Sequence, residues 1–124
     1  MNDMCTIQFT GNLTRDPEVR DAKEHRITGL RVAFTSSKRD GDEWKPHANY
    51  IDVTLFGNPA LRARKLKKGN RVGIEGRLEQ ERWLKDGQNH EKFVCKANYI
   101  YNLEMSKPLV EETQVEQEYV ENPF

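Results

Sequence analysis

Asn49-Tyr50-Ile51-Asp52-Val53-Thr54-Leu55-Phe56 alternates two different surfaces along eight residues. Ile51, Val53 and Leu55 fall on one side, and Tyr50, Asp52, Thr54 and Phe56 on the other. A period of two places successive side chains on opposite faces of a β-strand. The first face is wholly aliphatic and suits a core. The second mixes rings with polar groups, as a surface that holds exposed aromatics would.

On the C-terminal side, Gly57-Asn58-Pro59 opens a short helix, with Asn58 as its cap and Pro59 at the first helical position. The helix is expected to run to about Lys68, with Ala60, Leu61, Ala63 and Leu66 as its apolar side and Gly69 ending it. A long strand over 70–84 follows, with Val72, Ile74 and Leu78 inward, then Asp86-Gly87 at a hairpin tip. The last strand covers about 92–103. Phe93, Cys95 and Ala97 alternate there, but Ile100 falls out of step, which predicts a bulge. On the N-terminal side, residues 38–48 read as a polar loop holding Asp40-Gly41 and Pro46. Before it, a strand over about 27–36 sets Leu30, Val32 and Phe34 against Arg31, Ala33 and Thr35. Asp16-Pro17 marks a turn, and Thr6–Leu13 alternates as the first strand.

Three strands, a short helix and two strands predict an all-β fold. The order fits a five-stranded OB-fold Greek-key barrel with one short helix between its third and fourth strands. The expected domain spans 1–107. Residues 108–124 start at Pro108, carry five glutamates and no Lys or Arg, and are expected to form a disordered acidic tail.

With 124 residues there is room for one domain, and 35% hydrophobic against 32% charged residues implies a small core that subunit burial would help. Membrane spans need about 18–20 consecutive apolar residues, and no run here approaches that. The start, Met1-Asn2-Asp3-Met4, lacks the basic character of a signal peptide, so a cytoplasmic location is expected. The net charge of zero conceals an asymmetry: residues 1–107 hold 20 basic and 15 acidic residues, a formal +5. A basic body suits a polyanion.

Catalysis finds little support. His25, His47 and His90 fall in loops or turns with no metal-ligand spacing. There is no phosphate loop, no GxSxG and no HExxH. Cys5 and Cys95 are far apart, without a CxxC, and read as reduced thiols inside strands. The expectation is a protein that is not an enzyme and has no catalytic residues, metal or cofactor.

Single-strand binding needs flat rings for bases and positive charge along a groove. Tyr50, Phe56, Trp83 and Trp44 supply rings. Arg31, Lys38, Arg39, Lys45, Arg71, Arg77, Arg82, Lys85, Lys92 and Lys96 supply charge on the same strands and hairpins. Each ring has an ordinary alternative as a core or interface residue. The basic helix (Arg62, Arg64, Lys65, Lys67, Lys68) reads as a solvated face.

Gly11-Asn12-Leu13-Thr14-Arg15-Asp16-Pro17-Glu18-Val19-Arg20, Val53-Thr54-Leu55-Phe56-Gly57, Leu66-Lys67-Lys68-Gly69-Asn70-Arg71-Val72, Ile74-Glu75-Gly76-Arg77-Leu78 and Arg82-Trp83 together resemble the bacterial single-stranded DNA-binding protein family. The likeness covers roughly residues 5–104 and the extreme C-terminus. It implies an OB fold, a homotetramer, and binding of single-stranded DNA with little sequence preference. The family's stacking positions fall on Tyr50, where tryptophan is usual, and on Phe56 and Trp83. Another family tryptophan position is Lys38 here, with Trp44 several residues later. Gly73, Glu79, Glu81 and Asp52 also depart from the family's habit.

The resemblance further implies that Glu118, Glu121, Asn122, Pro123 and Phe124 dock replication and repair proteins. An apolar ring flanked by carboxylates suits a small pocket rimmed by Arg or Lys. Three other readings compete: a primosomal OB dimer, which would lack Pro123-Phe124; an adaptor acting mainly through its tail; and an OB-fold nuclease or anticodon-binding enzyme fragment, for which the sequence offers no catalytic constellation.

Overall fold

The computed structural model describes residues 1–104. The predicted end of the domain at 107, the acidic tail and Glu118–Phe124 lie outside the described residues. The elements are β1 (Ile7–Leu13), β2 (Glu18–Val19), β3 (Ile27–Asp40), β4 (Glu43–Phe56), α1 (Asn58–Ala63), β5 (Arg71–Lys85) and β6 (Gln88–Asn102). They form one sheet in the order β1-β5-β6-β4-β3-β2, and an additional β1–β3 pairing closes the five long strands into a barrel. The OB-type barrel expected from the alternation is present, with α1 between the third and fourth long strands.

The aliphatic face of the deciding strand turns inward as expected. Val53 and Leu55 are buried with Leu13, Leu30, Val32, Val72, Ile74, Cys95 and Ala97, and Ile51 packs against them. Ala60, Ala63 and Leu66 come from the helical segment into the same cluster. Thr28 ties β3 to the helix: its hydroxyl donates to the Ala60 carbonyl at 2.9 Å and accepts from Arg64 Nε at 2.9 Å. Arg64 also donates to the Ile27 carbonyl and to Asp21.

The bulge predicted from Ile100 appears where β5 and β6 slip. Glu75 pairs with Tyr99 and Gly76 with Ala97, so Asn98 has no partner on β5. Gly76 faces the β6 backbone there, and a Cβ on it would sit 2.3 Å from the Lys96 carbonyl oxygen. Only glycine allows the strands that approach.

Several local expectations are corrected. Residues 38–48 are not a loop, because β3 and β4 pair continuously from Ile27–Phe56 out to Asp40–Glu43. Only Gly41 and Asp42 turn, Gly41 with a positive φ of 71°. Residues 35–48 are all exposed and the β3 half, residues 35–40, holds no apolar residue, while on the β4 half Pro46 reads as a loop signal although Trp44 and Ala48 alternate with polar neighbours. The helix ends at Ala63 rather than near Lys68, and its cap position is Gly57, with no side-chain capping bond. Leu61 and Phe93 are exposed, while Val94 beside Phe93 is buried. Cys5 is exposed and precedes β1; Cys95 is buried, and that burial pushes its thiol up to about 11. His47 lies on β4 and His90 on β6, not in loops.

Candidate nucleic-acid interface

Strand parity builds one outward face across β3, β4, β6 and β5. Register pairs Ala33 with Tyr50, Arg31 with Asp52, Thr54 with Lys96, and Trp83 with His90. The polar-aromatic side of the deciding strand therefore lies between basic residues of two neighbouring strands. Tyr50, Phe56, Trp83 and Trp44 are all exposed.

Each of these four rings carries a cation. Arg31 lies 5.4 Å from the Tyr50 centroid, Arg39 5.8 Å from Trp44, Lys92 5.7 Å from Trp83 and Lys96 5.7 Å from Phe56. A cation within about 6 Å of a ring face is attracted by the ring's quadrupole. The pairing sets a flat surface and a positive charge side by side four times. Arg39 and Trp44 pair across the β3–β4 hairpin, so Trp44 is held by a strand register rather than free on a loop.

The face also carries carboxylates. Asp52 accepts from Arg31 Nη1 at 2.9 Å and from Lys92 Nζ at 2.6 Å. Burial presses its carboxyl upward, but the hydrogen bonds and charges of Lys92 and Arg31 outweigh that and hold it below its usual range. Lys96 Nζ donates to Glu81 at 3.2 Å, and Arg77 pairs with Glu79 at 3.0 Å.

Not every candidate joins this face. Lys38 and Lys45 pair with each other across the β3–β4 hairpin, on the side opposite Trp44, and Lys45 bridges Asp40 at 3.1 Å. Arg82 alternates away from Trp83 and lies 3.6 Å from Glu91. Lys85 shares the face of Trp83 but lies at the hairpin end, where its cation is not over any of the four rings. Arg71 sits at the far end of β5, donating to Asn12 and Thr10 of β1. The set brought together is Arg31, Arg39, Lys92, Lys96 and Arg77, around the four rings.

One participant was missed. The His90 ring stacks on Trp83 with centroids 5.6 Å apart and planes 17° from parallel. Asp86-Gly87 could have found it. Both residues have positive φ, 53° and 76°, as a two-residue type I′ hairpin requires, and counting back from that turn sets His90 opposite Trp83. Among the described residues, no group of three or more His, Cys, Asp or Glu is placed to hold a metal ion, and no helix is long and apolar enough to cross a membrane.

Comparison with known proteins identifies the family and the fold. Residues 4–105 match the single-strand binding protein family. A single-stranded DNA-binding protein of Treponema pallidum is 30% identical over 102 residues, covering 81% of this chain and 58% of that protein. One from Deinococcus radiodurans is 36% identical over 103 residues, covering 81% of this chain and 33% of that protein. The chain thus spans between a third and three fifths of the length of these curated relatives. Among solved structures, the small single-stranded DNA-binding protein of Streptomyces coelicolor superposes with a TM-score of 0.67 at 27% identity, covering 82% of this chain and 95% of that one. The Plasmodium falciparum SSB complex with ssDNA shares the fold, with a TM-score of 0.76 at 17% identity over 84% of this chain and 98% of that one. With the barrel, its outward aromatic face and a family match over most of its length, this chain belongs to the single-strand binding protein family.

Proposed function

We propose that this chain binds single-stranded DNA with little sequence preference. Bases stack on Tyr50, Trp44, Phe56 and Trp83, and phosphates are held by Arg31, Arg39, Lys92, Lys96 and Arg77. The observation that carries this reading is the fourfold repeat of a cation over an exposed ring on one sheet face. Every base has a π-face, so ring platforms bind without reading sequence, and cations beside them meet the backbone. The family relatives and the ssDNA complex of the Plasmodium protein support the same reading.

Two further parts complete the proposal. Glu118, Glu121, Asn122, Pro123 and Phe124 recruit replication, recombination and repair proteins by seating an apolar ring in a basic-rimmed pocket. The barrel assembles as a homotetramer, which gives a small core extra buried surface.

The test is a tryptophan-fluorescence titration with oligo-dT over a range of salt, with light scattering of the free and bound protein. Quenching, salt-weakened binding and a tetrameric mass are expected. The adaptor reading draws on Asp52, Glu79 and Glu81, which neutralise part of the face. It predicts no quenching at any salt.

A further inference from the structure

Asp52 differs from the other carboxylates on the face. Glu79 and Glu81 each take one basic partner there, whereas the two oxygens of Asp52 take one cation each from two different strands, Arg31 of β3 and Lys92 of β6. The carboxylate is the least exposed of the three groups, at 19% against 40% for Arg31 and 45% for Lys92. The carboxylate is thus more buried than either of the cations it holds. Each also lies beside a ring, Arg31 by Tyr50 and Lys92 by Trp83. One carboxylate thus links two ring–cation couples on opposite sides of β4.

Two cations around one carboxylate leave a local charge of +1, enough to attract a phosphate but less than the bare pair would offer. We infer that Asp52 acts as a built-in phosphate surrogate: it occupies Arg31 and Lys92 in the free protein, competes with the backbone of a bound strand, and so sets affinity and salt dependence. This inference rests on the single-stranded DNA reading above. Asp52 is a positioning residue, acting on the strand through its two cations.

The experiment compares oligo-dT binding by wild type, Asp52→Asn and Glu24→Gln across a salt series. Asparagine keeps the shape of the side chain and removes its charge. Glu24 lies between β2 and β3, off the face, and Glu24→Gln changes net charge by the same amount. Each exposed ion pair is worth up to about fivefold, and two are released, so Asp52→Asn should tighten binding roughly three- to fivefold at low salt. The gain should shrink as salt rises. The slope of log K against log salt should steepen by about 0.7 for each cation released to a phosphate, up to about 1.4 for both. Glu24→Gln should leave the slope unchanged.

Asp52→Asn binding that is weaker or unchanged, with the wild-type slope, overturns the inference. So does a Glu24→Gln effect of equal size, which would make the cause net charge alone. If wild type itself fails to bind oligo-dT, the underlying DNA reading fails, and that outcome is distinct from a variant that matches a binding wild type. Melting by circular dichroism checks that the variant folds, and Asp52→Ser repeats the comparison if asparagine is not accommodated.

Discussion

Trp83 and His90 stack across the β5–β6 hairpin with centroids 5.6 Å apart and planes 17° from parallel. The indole is thus backed on one face by a second ring and approached by the Lys92 ammonium. A ring supported in this way loses less rotamer freedom when a base lands on it, because neighbours already restrict it.

Trp83→Ala is therefore expected to weaken oligo-dT binding by roughly 1–3 kcal/mol, the range for removal of a base-stacking ring. His90→Ala should weaken it by less, since Trp83 keeps its own face. Fluorescence anisotropy with labelled oligo-dT measures both. A folded Trp83→Ala protein with wild-type affinity would remove Trp83 from the site.

Lys96 tests the electrostatic part. It lies over Phe56 and donates to Glu81, with its side chain 17% exposed. Lys96→Ala should lower affinity and make the salt slope shallower by about 0.7, one phosphate's worth, without altering base preference. Titrations with oligo-dT and oligo-dA at several salt concentrations decide it. A change in base preference with an unchanged slope would mean that Lys96 acts through Phe56 rather than on the backbone.

How much of this was legible depends on the distance over which the information acts. Tyr50 and Phe56 could be assigned to an outward face because alternation is local, and Ile51, Val53 and Leu55 fixed the inward side. The Ile100 misfit signalled a real bulge for the same reason. The Arg39–Trp44 couple was hidden because β3 and β4 run past the core, where residues 35–48 are all exposed: the β3 half holds no apolar residue, and Pro46 masked the alternation of Trp44 and Ala48 on the β4 half. Asp52–Lys92 was out of reach on other grounds. Its contact spans 40 positions and depends on the parallel β4–β6 pairing that forms when the barrel closes.

The pH dependence of stability should carry a signature of Asp21. Its carboxyl is held below its usual value chiefly by the hydrogen bond from Arg64, against a smaller upward push from burial, with the Ile27 amide helping. A carboxylate depressed in the folded state adds stability that is fully present above its unfolded pKa, near 3.9. That contribution is lost as pH falls through the lower folded value. Asp21→Asn should thus lower Tm at neutral pH and narrow its gap from wild type on acidification. A constant gap from pH 7 to pH 2 would show that the Arg64 link is not the cause.

Gly76→Ala probes the barrel corner. The added methyl would meet the Lys96 carbonyl oxygen at 2.3 Å and the Ala97 Cα at 2.6 Å, both backbone atoms that cannot rotate aside. Overpacking of this kind costs about 1–3 kcal/mol. Denaturant unfolding should show that loss, with DNA affinity reduced as well, because Lys96, which lies over Phe56, sits on β6, one of the two strands that must separate. Unchanged stability would mean that the corner has slack.

The last expectation concerns the separation of two functions along the chain. The face built from β3 to β6 lies within residues 27–102, and the proposed docking residues lie at 118–124. Deleting Pro123 and Phe124 removes an apolar anchor but none of the four rings or their cations. Oligo-dT affinity should stay within about twofold of wild type, since no stacking ring of 1–3 kcal/mol is lost. Deleting 108–124 removes five glutamates and no basic residue. Affinity at low salt should then rise, because like charges no longer oppose the strand, and the rise should fade with screening. Capture of replication and repair proteins should fall sharply in both truncations. If a truncated protein instead keeps those partners and loses oligo-dT, the docking residues belong to the DNA surface, and the division between barrel and tail is misplaced.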